Sequence, residues 1–221
     1  MPVKIWAIFI SSIITLKAIL LYFMQNKPNL SDWLRPENMI RLYSRGAFPM
    51  ADEITGEINW YLPEIRTIIP LTNYNYPRSL KKSIKEQNFE FRYDHNFLPV
   101  VKACANREKT WISDKLISSY LKLQELGHIH TVETWQDGEL VGGLYGISYA
   151  GAFFGESMFS KVSQASKAAL IKLIEHLTEK NFVMLDVQYI TPHLEMFGAV
   201  EISFEEYNRL LQLAYSRKCI F

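Results

Sequence analysis

The sequence predicts an α+β protein. A mixed β-sheet with flanking helices is preceded by a small N-terminal subdomain and an apolar N-terminal helix. Three observations predict this. His128–Trp135, Glu139–Tyr149 and Ala152–Phe159 are rich in β-formers and are joined by turns at Asp137-Gly138 and Ala150-Gly151, the pattern of an antiparallel meander. Ser163–Lys180 places Ala165, Ala169, Leu173 and Leu177 on one helical face, widened by Ala168 and Ile174. After it the chain returns to strand, helix and strand. Its 221 residues, 48% hydrophobic and 14% aromatic, supply one core and exclude disordered, collagen-like and coiled-coil classes.

The elements follow in chain order. Ile5 to Met24 is apolar except for Ser11, Ser12, Thr15 and Lys17. About 20 such residues span a bilayer, although a lysine at its centre costs roughly 2.5–3.5 kcal/mol. No small-residue cleavage site follows, and Lys27, Arg35, Arg41 and Arg45 would hold the rest of the chain in the cytoplasm. A membrane helix or surface anchor and a helix packed on the domain are equally good readings. Pro36 opens a short helix that Gly46 stops, and Phe48-Pro49-Met50 begins a loop-rich stretch. Ile58–Tyr61 and Thr67–Leu71 are short strands. Ser79–Gln87 is a basic helix, Phe89–Tyr93 a strand, and Phe97–Ala105 and Asp114–Leu126 helices, the second capped by Gly127. Phe182–Tyr189 is a strand, Thr191-Pro192 starts a short helix, Ala199–Ser203 is the last strand and Phe204–Tyr215 the last helix. The division expected is 1–27, 28–77 and 78–221. This succession suits an acetyltransferase-like, GNAT-type sheet, whose splayed central strands form a ligand cleft.

Charge and cysteine content narrow the chemistry. The formal charge is +1, so a nucleic-acid partner must meet a local basic patch. Cys104 and Cys219 cannot build a disulfide framework or a four-thiolate zinc site, which favours a reducing compartment. No Walker A, Gly-x-Gly-x-x-Gly or His-Glu-x-x-His string is present. The turn into the long helix, Ser160 to Lys167, has no glycine for a coenzyme A pyrophosphate, though its hydroxyls and lysine suit an anion or a cap. His128-x-His130 and Cys104 read as structural groups. The glycines of Val141-Gly142-Gly143-Leu144-Tyr145-Gly146 suit a bulge or close approach of a ligand. Glu156, Asp186 and Gln188 are polar groups inside apolar strands, and burying a carboxylate is costly without a partner. They are the best site candidates, against the alternative of a structural hydrogen-bond network.

Several strings together resemble the leucyl/phenylalanyl-tRNA–protein transferase family. They are Tyr43-x-x-Gly46-x-Phe48-Pro49, Thr110-Trp111-Ile112, Tyr120, Leu126-Gly127-His128-x-His130, Leu140 through Gly146, Gly155-Glu156-Ser157-Met158-Phe159-Ser160, Ala165-Ser166-Lys167, Asp186-x-Gln188, His193-Leu194 and Phe197-Gly198-Ala199. The resemblance runs over about residues 36–215. It implies an enzyme that takes Leu or Phe, sometimes Met, from aminoacyl-tRNA to the α-amine of a protein beginning with Arg or Lys. The product is routed to degradation. No ATP, metal or coenzyme is implied, because the ester is already activated. A monomer is expected, in the cytoplasm, with residues 5–24 as an optional tether to the membrane's inner face.

The resemblance also assigns roles. Asp186 would orient Gln188, which would hold or accept from the attacking amine. Glu156 would pair with the acceptor's cationic side chain. Trp111, Leu144 and Phe153 can wall an apolar aminoacyl pocket, and such a pocket discriminates by only ~1–3 kcal/mol per methylene. Arg78, Lys81, Lys82 and Lys85 are the densest basic cluster and the expected tRNA contact, against a merely solvated helix face. Met50 and Val187 depart from the family pattern, Trp60 and Arg66 keep it, and the apolar N-terminal run is foreign to it. Two rivals stay open: a non-catalytic tRNA-binding or membrane-tethered relative, and an acyl-CoA N-acyltransferase of the same fold. Charge reversal at Lys81 and Lys82 is expected to weaken tRNA binding and to flatten its salt dependence by about one unit of slope per lost phosphate contact. Filter binding across a salt series reads this, and an unchanged slope puts the tRNA on another face.

Overall fold

A computed structural model describes residues 30–52 and 55–221. The apolar run 5–24 lies outside these residues. Among the described residues no helix is long and apolar enough to cross a membrane.

The chain enters through α1 (Leu30–Trp33) and α2 (Pro36–Tyr43), which has a proline in its first turn. Gly46, at φ +82°, reverses the chain. β1 (Phe48–Ala51) and β2 (Ile58–Tyr61) then pair antiparallel as a separate ribbon, from Phe48↔Tyr61 to Ala51↔Ile58. The sequence suggests a loop at 48–51 because Pro49 has no N–H to give. A ribbon with one partner tolerates that loss, and β1 is a strand.

The remaining strands form one sheet. They are β3 (Ile65–Ile69), β4 (Glu90–Tyr93), β5 (Ile129–Gln136), β6 (Glu139–Tyr149), β7 (Ala152–Ser160), β8 (Met184–Gln188) and β9 (Val200–Ser203). Their order is β4-β5-β6-β7-β8-β3-β9, and every pairing is antiparallel except β7 with β8. The meander β5–β6–β7 stands as the turn pairs predict. β3 comes from early in the chain and lies between two late strands.

Helices cover both faces. On one side α4 (Phe97–Ala105), α5 (Asp114–Glu125), α8 (Phe204–Tyr215) and α2 bury Tyr43, Val100, Leu116, Tyr120, Tyr145 and Tyr207. On the other, α6 (Ala165–Glu179) packs Ala169, Leu170, Leu173 and Leu177 over Val132, Leu144, Phe153 and Leu185. α3 (Arg78–Glu86) lies beside α6, and the short α7 (Pro192–Glu195) follows β8.

α6 explains one of the strand glycines. A Cβ on Gly142 would fall 2.5 Å from the Cβ of Ala165 and 2.9 Å from its carbonyl carbon. The small residue lets the helix start against the sheet. Gly146 sits at a register shift opposite β7 and under the Phe153 ring, so it serves a bulge. Replacing Gly142 by Val is expected to cost about 1–3 kcal/mol through overpacking. Urea unfolding of the variant against the parent measures it.

Candidate active site

The site begins where the only parallel pair in the described sheet comes apart. β7 and β8 are paired from Ala152↔Met184 to Phe154↔Asp186. Beyond that point β7 runs on from Gly155 to Ser160 without β8 as partner. Each strand carries a bulge there. On β7, Tyr145↔Ser157 is followed by Gly146↔Gly155, which leaves Glu156 as the extra residue. On β8, Thr67↔Gln188 is followed by Ile68↔Asp186, which leaves Val187 as the extra residue. Gln188 has φ +58°, a left-handed conformation uncommon for a side chain other than Asn, Asp or Gly. Bulges re-aim side chains and end pairing, and here the two face one opening.

That opening is a cavity of about 380 Å³. Leu144, Leu170, Leu173, Leu185 and Leu194 give it an apolar floor, with Met158 and Val187 along the walls. Arg107, Trp111, Glu156, Gln188, Thr191 and His193 supply aromatic or polar groups. The Arg107 guanidinium is fixed by bonds to the Ser157 hydroxyl (2.9 Å) and the carbonyls of Cys104 (2.8 Å) and Met158 (3.2 Å).

Three buried polar atoms on cavity residues have no hydrogen-bond partner: Glu156 Oε1, Tyr145 OH and His193 Nε2. A buried polar group left unpaired costs about 1–3 kcal/mol, and three of them stand on residues that line this cavity. Glu156 Oε2 accepts from Tyr120 OH at 2.9 Å, and Tyr120 OH lies 3.2 Å from Tyr43 OH. Burial pushes the Glu156 carboxyl up to about 8, and the Tyr120 hydroxyl only partly offsets that.

Asp186 is fully buried and does not reach the cavity wall. Its Oδ1 accepts the Gln188 backbone N–H at 2.8 Å. Its Oδ2 accepts from Tyr207 OH at 2.6 Å and from the Arg66 guanidinium. Asp186 therefore acts on Gln188 through the backbone, and Gln188 lines the cavity.

The other residues singled out from sequence divide. Trp111 and Leu144 line the cavity. Phe153 is fully buried beneath it, packed with Leu144 and Leu185, and is absent from the wall. Alternation along β7 puts Phe153 on the α6 side, while Leu170 and Leu185 reach the opening. Arg78, Lys81, Lys82 and Lys85 are exposed on α3 and none lines the cavity. Lys82 pairs with Glu86 at 3.7 Å and Lys81 lies over the Tyr76 ring. His130 is held by Asp94 (2.8 Å) and Ser148 (3.0 Å), and His128 by the Ser148 carbonyl. Among the described residues no cluster of His, Cys, Asp and Glu could hold a metal. Cys104 is buried and its thiol is pushed up to about 12, which leaves no nucleophilic thiolate at neutral pH.

The family model for leucyl/phenylalanyl-tRNA protein transferase matches residues 68–212, and that for its N-terminal domain matches residues 33–64. The chain belongs to this family. Leucyl/phenylalanyl-tRNA–protein transferases from Herpetosiphon aurantiacus, Gloeobacter violaceus and Salinibacter ruber are 47%, 44% and 44% identical over 85%, 85% and 78% of this chain. Those matches cover 98%, 97% and 76% of the relatives. Among solved structures, L-PGS from Bacillus licheniformis aligns at 13% identity and TM-score 0.42 over 68% of this chain and 49% of its own.

Sequence reasoning gave no role to Arg66, Tyr207, Tyr43 or Tyr120 in this transferase. A signal was present for the first. Arg66 is the single charge in β3 and Asp186 the single charge in β8, and lone opposite charges in two apolar strands point to each other.

The raised Glu156 group has a measurable consequence. Native protein holds a proton between about pH 4.5 and pH 8 that the unfolded chain has released. Stability is therefore expected to fall as pH rises through that window, and the Glu156→Gln variant to lose that part of the slope. Urea unfolding from pH 5 to pH 8.5 checks it.

Proposed function

We propose that this transferase moves Leu or Phe, and Met where it is charged on tRNA, to the α-amine of proteins beginning with Arg or Lys, marking them for N-degron degradation. The observation that carries the reading is the cavity at the β7–β8 splay. It has an apolar floor and is bordered by Gln188 and the unpartnered Glu156 Oε1.

The chemistry is ester aminolysis. The amine lone pair attacks the ester carbonyl carbon, a C–N bond forms and the bond to the terminal ribose oxygen breaks. The amine proton ends on that oxygen. No ATP, metal or coenzyme enters, because the ester is already activated. Gln188 holds the amine beside the carbonyl, and positioning of this kind lowers the barrier by removing the entropy of encounter. The donor side chain sits on Leu144, Leu170 and Leu185, with Trp111 against the ester end. An unbranched apolar seat separates Leu, Phe and Met only weakly. A cationic acceptor side chain pairs with Glu156 and lowers its proton affinity, so the carboxylate forms as the acceptor binds.

The exposed basic face of α3 supports a tRNA contact at Arg78, Lys81, Lys82 and Lys85. The splayed strands support a GNAT-like assignment. Residues 28–77 then form a small N-terminal subdomain that lends β3 to the catalytic domain at 78–221. A transferase working on tRNA with free cysteines belongs in the cytoplasm, as a monomer. A pocket that keeps both Glu156 and Gln188 argues against a non-catalytic relative.

The test is transfer of labelled Phe from Phe-tRNA to a peptide starting with Arg. Transfer is expected, with a fall of at least about tenfold in kcat/KM when Ala replaces that Arg, as for a lost charge-assisted hydrogen bond. Absence of transfer at every salt concentration contradicts the reading.

A further inference from the structure

We infer that Arg66 and Tyr207 are positioning residues for the transfer reaction, clamping Asp186 so that it fixes the left-handed backbone of Gln188. The inference rests on the reading of Gln188 as the group that holds the amine.

Arg66 and Tyr207 both bond one oxygen of Asp186, and Gln188 bonds the other. Arg66 is fully buried in β3 and donates to Asp186 Oδ2 and to the Gly46 carbonyl. Its guanidinium carbon lies 5.0 Å from the Phe48 ring centroid and 4.5 Å from that of Tyr207. Tyr207, on α8, adds its hydroxyl to the same Oδ2 at 2.6 Å. Burial, and then the charge of Asp186, push that hydroxyl's proton affinity up, so it stays a donor. The remaining oxygen of Asp186 takes the Gln188 N–H. This carboxylate is fully buried and off the cavity wall, so it does not meet a substrate proton directly. What it does is hold the amide of the residue whose backbone is strained, one step past the β8 bulge.

Gly46 completes the clamp. A Cβ there would lie 2.5 Å from a Tyr207 ring carbon, and its φ of +82° disfavours any side chain. The glycine thus brings its carbonyl to Arg66 and leaves room for the Tyr207 ring. β3 and α8 meet on one carboxylate off the cavity wall, and the turn after α2 holds the Arg66 that reaches it.

Tyr207→Phe tests this, because it keeps the ring against Gly46 and deletes only the donor. The purified full-length chain and the variant are compared with Phe-tRNA and an Arg-initiated peptide, with kcat and KM determined separately. Amide hydrogen exchange is followed in peptides covering Gln188 and, as a control, β4 and β5. The variant is expected to lose about tenfold in kcat, the size of one hydrogen bond to a charged group, with both KM values within about twofold. Exchange should speed up at Gln188 and stay unchanged in β4 and β5. Arg66→Lys keeps the charge but cannot serve Gly46 and Asp186 together, and should show the same split. Full kcat in both variants overturns the inference alone, since the wild type still transfers. A kcat loss with faster exchange across the whole sheet overturns it as well, in favour of general destabilisation. A wild-type chain that transfers nothing overturns the transfer reading, and this inference with it.

Discussion

The buried ion pair of Arg66 and Asp186 is the constraint around which the rest of the molecule is arranged. Two charges taken out of water cost several kcal/mol each, and their attraction repays that only when every other bonding position is filled. Here the Gly46 carbonyl, the Tyr207 hydroxyl, the Gln188 backbone N–H and two aromatic faces supply most of them, and Arg66 Nε alone of the guanidinium nitrogens stays unpaired. Breaking such a pair typically costs about 3–5 kcal/mol. The pair ties β3 to β8, where β9 flanks it on the other side. It also links the turn after α2 to the main sheet. The small N-terminal segment is therefore joined to the scaffold under the candidate site.

Three buried or half-buried carboxylates on one sheet show how environment assigns work. Glu133 is fully buried and accepts from the Asn96 backbone N–H (2.5 Å), the Thr131 hydroxyl (2.9 Å) and the Trp135 indole (2.9 Å). Both of its oxygens are bonded within the fold, and it is structural. Asp186 is equally occupied, but one of its partners is the backbone of a cavity residue, so its effect reaches the site. Glu156 has one filled oxygen and one empty one, and it lines the opening. Its burial favours the neutral acid. The end of α2 and the turn after it are linked to two of these three, Tyr43 through Tyr120 to Glu156 and Gly46 through Arg66 to Asp186.

Much of this was legible in the sequence, for physical reasons. The meander was marked by Asp-Gly and Ala-Gly turns, α6 by its 3.6-residue apolar repeat, and Glu156 and Asp186 by being charged inside apolar strands. What escaped was long-range. Nothing local says that β3 enters the sheet between strands more than 100 residues away in the chain, as the pairs Ile68↔Asp186 and Ile68↔Val200 show. β1 was hidden by Pro49. Phe153 was placed in the pocket by its aromatic character, but its side of β7 is decided by the register with β6, and that register is broken by the bulge at Glu156. The glycines of β6 suggested a bulge or a ligand's approach. Gly146 serves the bulge, and Gly142 admits helix α6.

If the β7–β8 cavity seats the donor's side chain and brings its ester carbon to Gln188, a crystal structure with a non-hydrolysable amide analogue of 3′-phenylalanyl-adenosine will show it. The phenyl ring is expected on Leu144, Leu170 and Leu185, with the acyl carbon beside the Gln188 side chain. An analogue bound with its ring outside this floor, or with its acyl carbon away from Gln188, would contradict it.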